Sequence, residues 1–365
     1  MKIDFASLDK SYLENKVEID NITTDIFSNA QFILGEQTSQ LEESLKNYVG
    51  SEYALGCASG TDALILALMA LNIGADDEVI TTPFTFIATA EAIAFLGAKP
   101  VFVDIDPRTY NIDPNKIEKS ITSRTKAIIP VSLYGQISDM DAINKIAKDN
   151  GLFVIEDAAQ SFGATYRGRR SCGLSTIACT SFFPAKPLGC FGDGGAVFTS
   201  DRLLYEKMHA LRVHGQTKRY IHKYIGIGGR LDNLQAGILN IKLKNYEKDI
   251  ERRQKVANWY SNELADIVTT PYLQEFNTSV YAQYTIEVDN REELQDFLAQ
   301  NGIPTAVHYP IPLHLQECFQ YLSYEKGDFL VSEQKSKTVL SLPMNPYLFE
   351  EEVQYICDII KKFIQ

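Results

Sequence analysis

Lys186 sits in Ser181-Phe182-Phe183-Pro184-Ala185-Lys186-Pro187-Leu188-Gly189, between an apolar strand-like run and the glycine-rich Gly192-Asp193-Gly194-Gly195. Burial among Phe182, Phe183 and Leu188 would disfavour the ammonium and favour the free amine that covalent chemistry requires. Upstream, Val154-Ile155-Glu156-Asp157-Ala158-Ala159-Gln160 puts an acid at the end of another apolar run. Pyridoxal phosphate (PLP) asks a protein for a lysine to meet its aldehyde and an acid to meet its ring nitrogen, so the pair points to that cofactor. Each residue alone supports less. A single lysine is ordinarily a solvated surface group, and Asp157 serves equally well as a cap for the helix that follows.

Other residues group around this pair. Ser59-Gly60-Thr61-Asp62 joins a first strand to an apolar helix expected over 63–71, where free amides and a helix N-terminus form a cradle for phosphate. The same four residues also read as an ordinary helix cap. Ser181 could add a hydroxyl to that phosphate. Phe86, in Phe84-Thr85-Phe86 after the second strand, could stack on a planar ring or simply fill the core. His308-Tyr309-Pro310 places two hydrogen-bonding rings on a proline-stiffened loop, either framing a polar substrate or serving structure. The five histidines show no HExxH pattern, so no metal site is expected. Neither Gly189–Gly195 nor Gly226-Ile227-Gly228-Gly229 matches a dinucleotide fingerprint or a Walker loop. The basic stretch with Arg212, Lys218, Arg219, His222 and Lys223 is a solvated face or a local attraction for a diphosphate.

These residues need a frame. Seven apolar runs, at 53–57, 79–82, 100–103, 127–131, 153–156, 178–183 and 195–199, alternate with helix-period segments, which predicts an α/β fold with a mostly parallel seven-stranded sheet. Ligands of such sheets gather at the carboxyl ends of strands, where Ser59, Asp157 and Ser181 fall. After Arg230 the pattern changes to two long helices, 231–246 and 247–265, and then to a smaller α/β lobe. Domains are expected at 1–246 and 247–365. With 365 residues, 45% of them hydrophobic, the chain can bury such a core. A formal net charge of −12 and a pI near 5.0 disfavour nucleic acid or an anionic membrane as partner. Six cysteines without a CxxC pair suit a reducing, cytoplasmic setting, and no apolar run is long enough to span a membrane.

Taken together, Phe32-Ile33-Leu34-Gly35, Ser59-Gly60-Thr61-Asp62-Ala63-Leu64, Glu156-Asp157-Ala158-Ala159-Gln160-Ser161, Ser181–Gly189, Arg230-Leu231-Asp232 and His308–Leu315 resemble the DegT/StrS-type sugar aminotransferases over nearly the whole chain. These are PLP enzymes of fold type I, the aspartate-aminotransferase-like fold. Arg170-Ser171-Cys172, Thr180–Cys190 and Ser279–Tyr284 resemble the branch that aminates UDP-2-acetamido-2-deoxy-3-oxo-glucuronate. The resemblance implies that Lys186 holds PLP covalently and shuttles the proton, that Asp157 pairs with the ring nitrogen and that Gln160 bonds the phenolic oxygen. It further implies Gly60, Thr61, Asp62 and Ser181 at the phosphate, Phe86 on the ring, and Arg230, His308 and Tyr309 at the sugar. Its substrates would be a UDP-sugar and glutamate, its assembly a homodimer with a shared site, and its pathway surface-polysaccharide biosynthesis such as lipopolysaccharide O-antigen. Relatives often carry Asn two residues before the arginine of Arg230-Leu231-Asp232, where this chain has Gly228. The alternatives are an aminotransferase for a dTDP-linked 3-keto-6-deoxyhexose, a sugar dehydratase of the same superfamily, which would replace the lysine, and a non-catalytic sugar-nucleotide sensor.

Overall fold

Continuous apolar runs of four or five residues need cover on both faces, and that requirement organises the chain. A computed structural model describes residues 3–364. The strands β1 (Tyr53–Cys57), β2 (Glu78–Thr81), β3 (Lys99–Phe102), β4 (Thr125–Ile128), β5 (Phe153–Asp157), β6 (Ile177–Ser181) and β7 (Gly195–Thr199) form one sheet. Their order is β1-β7-β6-β5-β4-β2-β3, and β7 runs antiparallel to both of its neighbours. The remaining pairs are parallel.

One core lies on each side of the sheet. Leu66, Leu68, Val79, Ile93 and Ile155 fill one side, and Leu41, Leu45, Ile128, Val154, Phe162 and Tyr246 the other. A third core joins Tyr260, Tyr284, Leu294, Leu340, Val353 and Ile360. This C-terminal core is built on the antiparallel pair β8 (Tyr284–Glu287) and β9 (Val339–Leu342) with the helices Arg291–Gln300 and Glu350–Ile364.

The two helices expected over 231–265 are a single helix, Asn233–Leu264. No glycine or proline interrupts the passage through 246 and 247. Tyr246, Ile250, Arg253, Val256, Ala257 and Tyr260 continue one buried stripe at helical spacing, so nothing ends the helix where the charges begin. The helix Gly60–Ala70 starts three residues earlier than its apolar run, because Ser59 caps it by accepting a hydrogen bond from the Asp62 amide at 3.0 Å.

Candidate active site

At the carboxyl ends of β1, β5 and β6 the chain leaves a cavity of about 520 Å³. Lys186, Asp157, Gln160, Ser181, Gly60, Thr61, Phe86, His308 and Tyr309 all line it. Two residues of the expected set do not. Asp62 points away from the cavity towards the segment before Arg230, its Oδ2 lying 3.6 Å from where a Cβ on Gly229 would stand. Arg230 itself forms an isolated bridge to Cys57 at the end of β1, the edge strand of the sheet, and so lies beside the helix start and outside the lining.

The close approach of helix and sheet sets the narrow end of the cavity. A Cβ on Gly60 would lie 2.8 Å from the Cβ of Ser181, so glycine is required for the first turn of the helix to meet the end of β6. That first turn presents free amides and the positive end of the helix dipole to the cavity. The Ser181 hydroxyl stands beside it and accepts the Phe183 amide at 3.2 Å.

Asp157, 5% exposed, ends β5. Its Oδ2 accepts the Thr89 hydroxyl at 2.8 Å and its Oδ1 accepts the Ala159 amide at 3.2 Å. Burial pushes its pKa up, against these two donors and the charge of Lys186. Lys186 responds in the opposite sense, since burial lowers its pKa while Asp157 opposes the change. That direction favours the free amine, although Phe183, one of the apolar neighbours expected to bury it, is 51% exposed. Phe86 is 54% exposed at the mouth, with its ring centroid 6.2 Å from that of Tyr309.

The C-terminal lobe supplies the opposite wall. His308 engages Ser341 Oγ through Nδ1 at 2.9 Å, and Ser341 meets Thr285 across the β8–β9 pair at 2.9 Å. Burial, reinforced by the charge of Lys186, lowers the pKa of His308 to about 4, so the ring is neutral at pH 7 with Nε2 free for other partners. Gln160 donates from Nε2 to the Tyr309 hydroxyl at 3.2 Å and accepts the Tyr134 amide at 2.8 Å. Burial raises the pKa of Tyr309, which keeps the phenol protonated. Sequence reasoning missed Thr89, Tyr134 and Gln283, the last lining the cavity from the segment that enters β8. Thr89 lies in an apolar helix with no local mark, whereas the glycine after Tyr134, at a strand end, was a usable sign of an unusual turn.

A family profile described as the DegT/DnrJ/EryC1/StrS aminotransferase family matches residues 14–361. The chain belongs to this family. It is 52% identical over 356 residues, 97% of this chain and 98% of the relative, to the UDP-2-acetamido-2-deoxy-3-oxo-D-glucuronate aminotransferase of Pseudomonas aeruginosa. It is 44% identical, over 92% of this chain and 91% of the relative, to a UDP-N-acetyl-3-dehydro-alpha-D-glucosamine 3-aminotransferase of Acidithiobacillus ferrooxidans. A solved family aminotransferase from Brucella abortus superposes with a TM-score of 0.97 at 39% identity, covering 99% of both chains. NtdA of Bacillus subtilis, solved with bound cofactor PMP, superposes with a TM-score of 0.92 at 32% identity, over 99% of this chain and 85% of that one. As a member of the DegT/DnrJ/EryC1/StrS family the protein is an aminotransferase that uses PLP. The cavity suits the cofactor: a buried acid, an amine whose pKa burial lowers and a glycine-built anion cradle all face one space. Among the described residues no group of acidic, histidine or cysteine side chains is arranged to hold a metal ion, and no helix is long and apolar enough to cross a membrane.

Proposed function

We propose that the protein transfers the amino group of glutamate to C3 of UDP-2-acetamido-2-deoxy-3-oxo-glucuronate. The observation that carries the reaction class is that Lys186 and Asp157 share one cavity with the Gly60 helix start and Ser181. The likeness to two UDP-sugar aminotransferases supports the substrate.

When bound, PLP supplies an electrophilic carbon for amines and an electron-withdrawing ring. Asp157, oriented by Thr89 and Ala159, would sit against the ring nitrogen and hold its proton. Gln160 would meet the phenolic oxygen and Phe86 would cover one ring face. Gly60, Thr61 and Ser181 would hold the phosphate at the helix N-terminus. Lys186 Nζ would attach the cofactor and, once released, move a proton from the donor carbon to the cofactor carbon in one half-reaction and from the cofactor carbon to the sugar carbon in the other. His308 and Tyr309 would orient the sugar. Arg230 and Asp62, outside the lining, are assigned to the edge where a second subunit completes the site, with the Arg230 guanidinium facing a substrate carboxylate. Phe86 and Phe183, both about half exposed at the cavity, favour such a homodimer. We assign residues 1–246 and 247–365 as the two domains, and a cytoplasmic role in making amino sugars for surface polysaccharide such as O-antigen.

The test offers PLP-loaded protein and glutamate the UDP-linked 3-keto uronate and a dTDP-linked 3-keto-6-deoxy sugar together, with products read by mass spectrometry. Amination of the uronate, abolished by Lys186→Ala, is expected. Amination of the deoxy sugar alone would move the enzyme to the other substrate class, and amination by Lys186→Ala would remove the lysine from its role.

A further inference from the structure

Tyr134 has no part in the roles above, yet it touches both walls of the cavity. It lies in Leu133–Gly135, beyond β4, with its ring buried and its φ at +57°, a backbone region uncommon for large side chains. Its amide donates to Gln160 Oε1 at 2.8 Å, and its hydroxyl donates to the His308 carbonyl. Gln160 Nε2 donates in turn to the Tyr309 hydroxyl at 3.2 Å. Because His308 and Tyr309 are consecutive, these three contacts close a ring: Tyr134 backbone, Gln160 amide, Tyr309 side chain, His308 carbonyl, Tyr134 hydroxyl.

Both ends of the ring are pinned. Gln160 cannot turn its amide over, because its NH2 would then face the Tyr134 N–H, donor against donor. Gly135 follows with φ +112°, and a Cβ there would stand 2.6 Å from the Tyr281 amide, so the turn is pressed against the chain leading into β8. On the far side Ser341 holds the His308 ring, leaving His308 fixed at both its carbonyl and its imidazole. Half of the ring belongs to the sheet that carries Asp157, and half to the segment that leads to the C-terminal pair.

We propose that Tyr134 is a positioning residue coupling Gln160, on the cofactor side of the cavity, to His308–Tyr309, on the substrate side. The inference rests on the roles proposed above for those three residues. A contact that fixes Gln160 then also fixes the 306–313 segment, and by linkage a ligand on that segment tightens the cofactor by the same factor.

The test is hydrogen exchange by mass spectrometry across 306–313, with and without PLP, in the full-length protein and in Tyr134→Phe. PLP occupancy is followed separately by absorbance. In the unchanged protein PLP is expected to slow exchange across 306–313. In Tyr134→Phe, with PLP still bound, that protection should fall by roughly 3- to 10-fold, the worth of one hydrogen bond. The sugar-nucleotide KM should rise by a similar factor while kcat changes less. Tyr309→Phe opens the same ring at its other link and should lose the same protection, so it carries the test if Tyr134→Phe does not fold. Equal protection in the unchanged protein and in the variants would overturn the coupling while leaving the aminotransferase reading intact. A protein that binds no PLP would overturn both.

Discussion

Glu156 and Asp157 are neighbours on one strand, both buried, and their surroundings are opposite. Strand alternation sends their side chains to different faces of β5. Glu156 faces the packed side, where it accepts the Ser171 hydroxyl at 2.9 Å and the Cys172 amide at 3.0 Å. Ser171 shares a further bond with Ser161 at 3.0 Å, which ties the loop after β5 to the short hairpin at 165–170. Both oxygens of Glu156 are thus engaged within the protein. Asp157 has two donors also, but its remaining surface opens on the cavity, with Lys186 nearby as a counter-charge. Both carboxyls are pushed up by burial, Glu156 to about 7. Burial and a shifted pKa therefore do not mark the reactive acid; a face open on the cavity and a lysine across it do.

The contrast can be broken most severely at Asp157. Asp157→Asn is expected to lower transamination by roughly 10²- to 10³-fold, the scale of losing one oriented charge in a preorganised site, with little change in melting temperature. Steady-state kinetics beside calorimetry would check this, and a variant that melts early but turns over normally would make Asp157 the structural member of the pair.

A smaller effect sharpens the comparison at Glu156. Its folded pKa of about 7 exceeds the ordinary 4.5, so the stabilisation it gives is complete below 4.5 and is lost as pH rises through 7. His308 acts in the reverse sense, its folded value of about 4 lying below the ordinary 6.5, so its contribution is present above 6.5 and lost as pH falls through 4. Between pH 6.5 and 8 that opposition fades and the Glu156 slope dominates. The melting temperature of the unchanged protein should fall across this window by more than that of Glu156→Gln, which keeps an acceptor for Cys172 and carries no charge. Parallel melting curves would place the titration elsewhere.

The smallest change is expected at Tyr246, whose buried hydroxyl donates to the Phe162 carbonyl at 2.6 Å behind the same loop. Tyr246→Phe should cost about 1 kcal/mol of stability in denaturant titration and leave kcat within about twofold. A larger kinetic loss would show that the packed side also tunes the cavity.

The same contrast explains what could be read in advance. The seven strands were legible because runs such as Ala127–Val131 are apolar throughout, although their ends moved by up to three residues where strands continue into loops. Lys186, Asp157, Ser181 and His308 were legible because their chemistry is rare in such positions. Thr89 was not, since its hydroxyl meets Asp157 across 68 residues of chain and nothing near it in sequence announces the meeting. Asp62 and Arg230 were selected by motif, but only the three-dimensional path of the edge strand decides which side of the first turn they occupy. The break expected at 246 followed a change in charge, and the buried stripe overrode it.

That unbroken helix has a consequence for how the protein can be taken apart. At 32 residues it is about 48 Å long, and its first half packs with the core holding Phe162 and Tyr246, its second half with the core holding Tyr260 and Tyr284. Cutting the chain at 246 would expose half of an amphipathic stripe on each fragment. The two lobes should then melt in one cooperative transition, and neither should be obtained as a folded piece by expressing it alone.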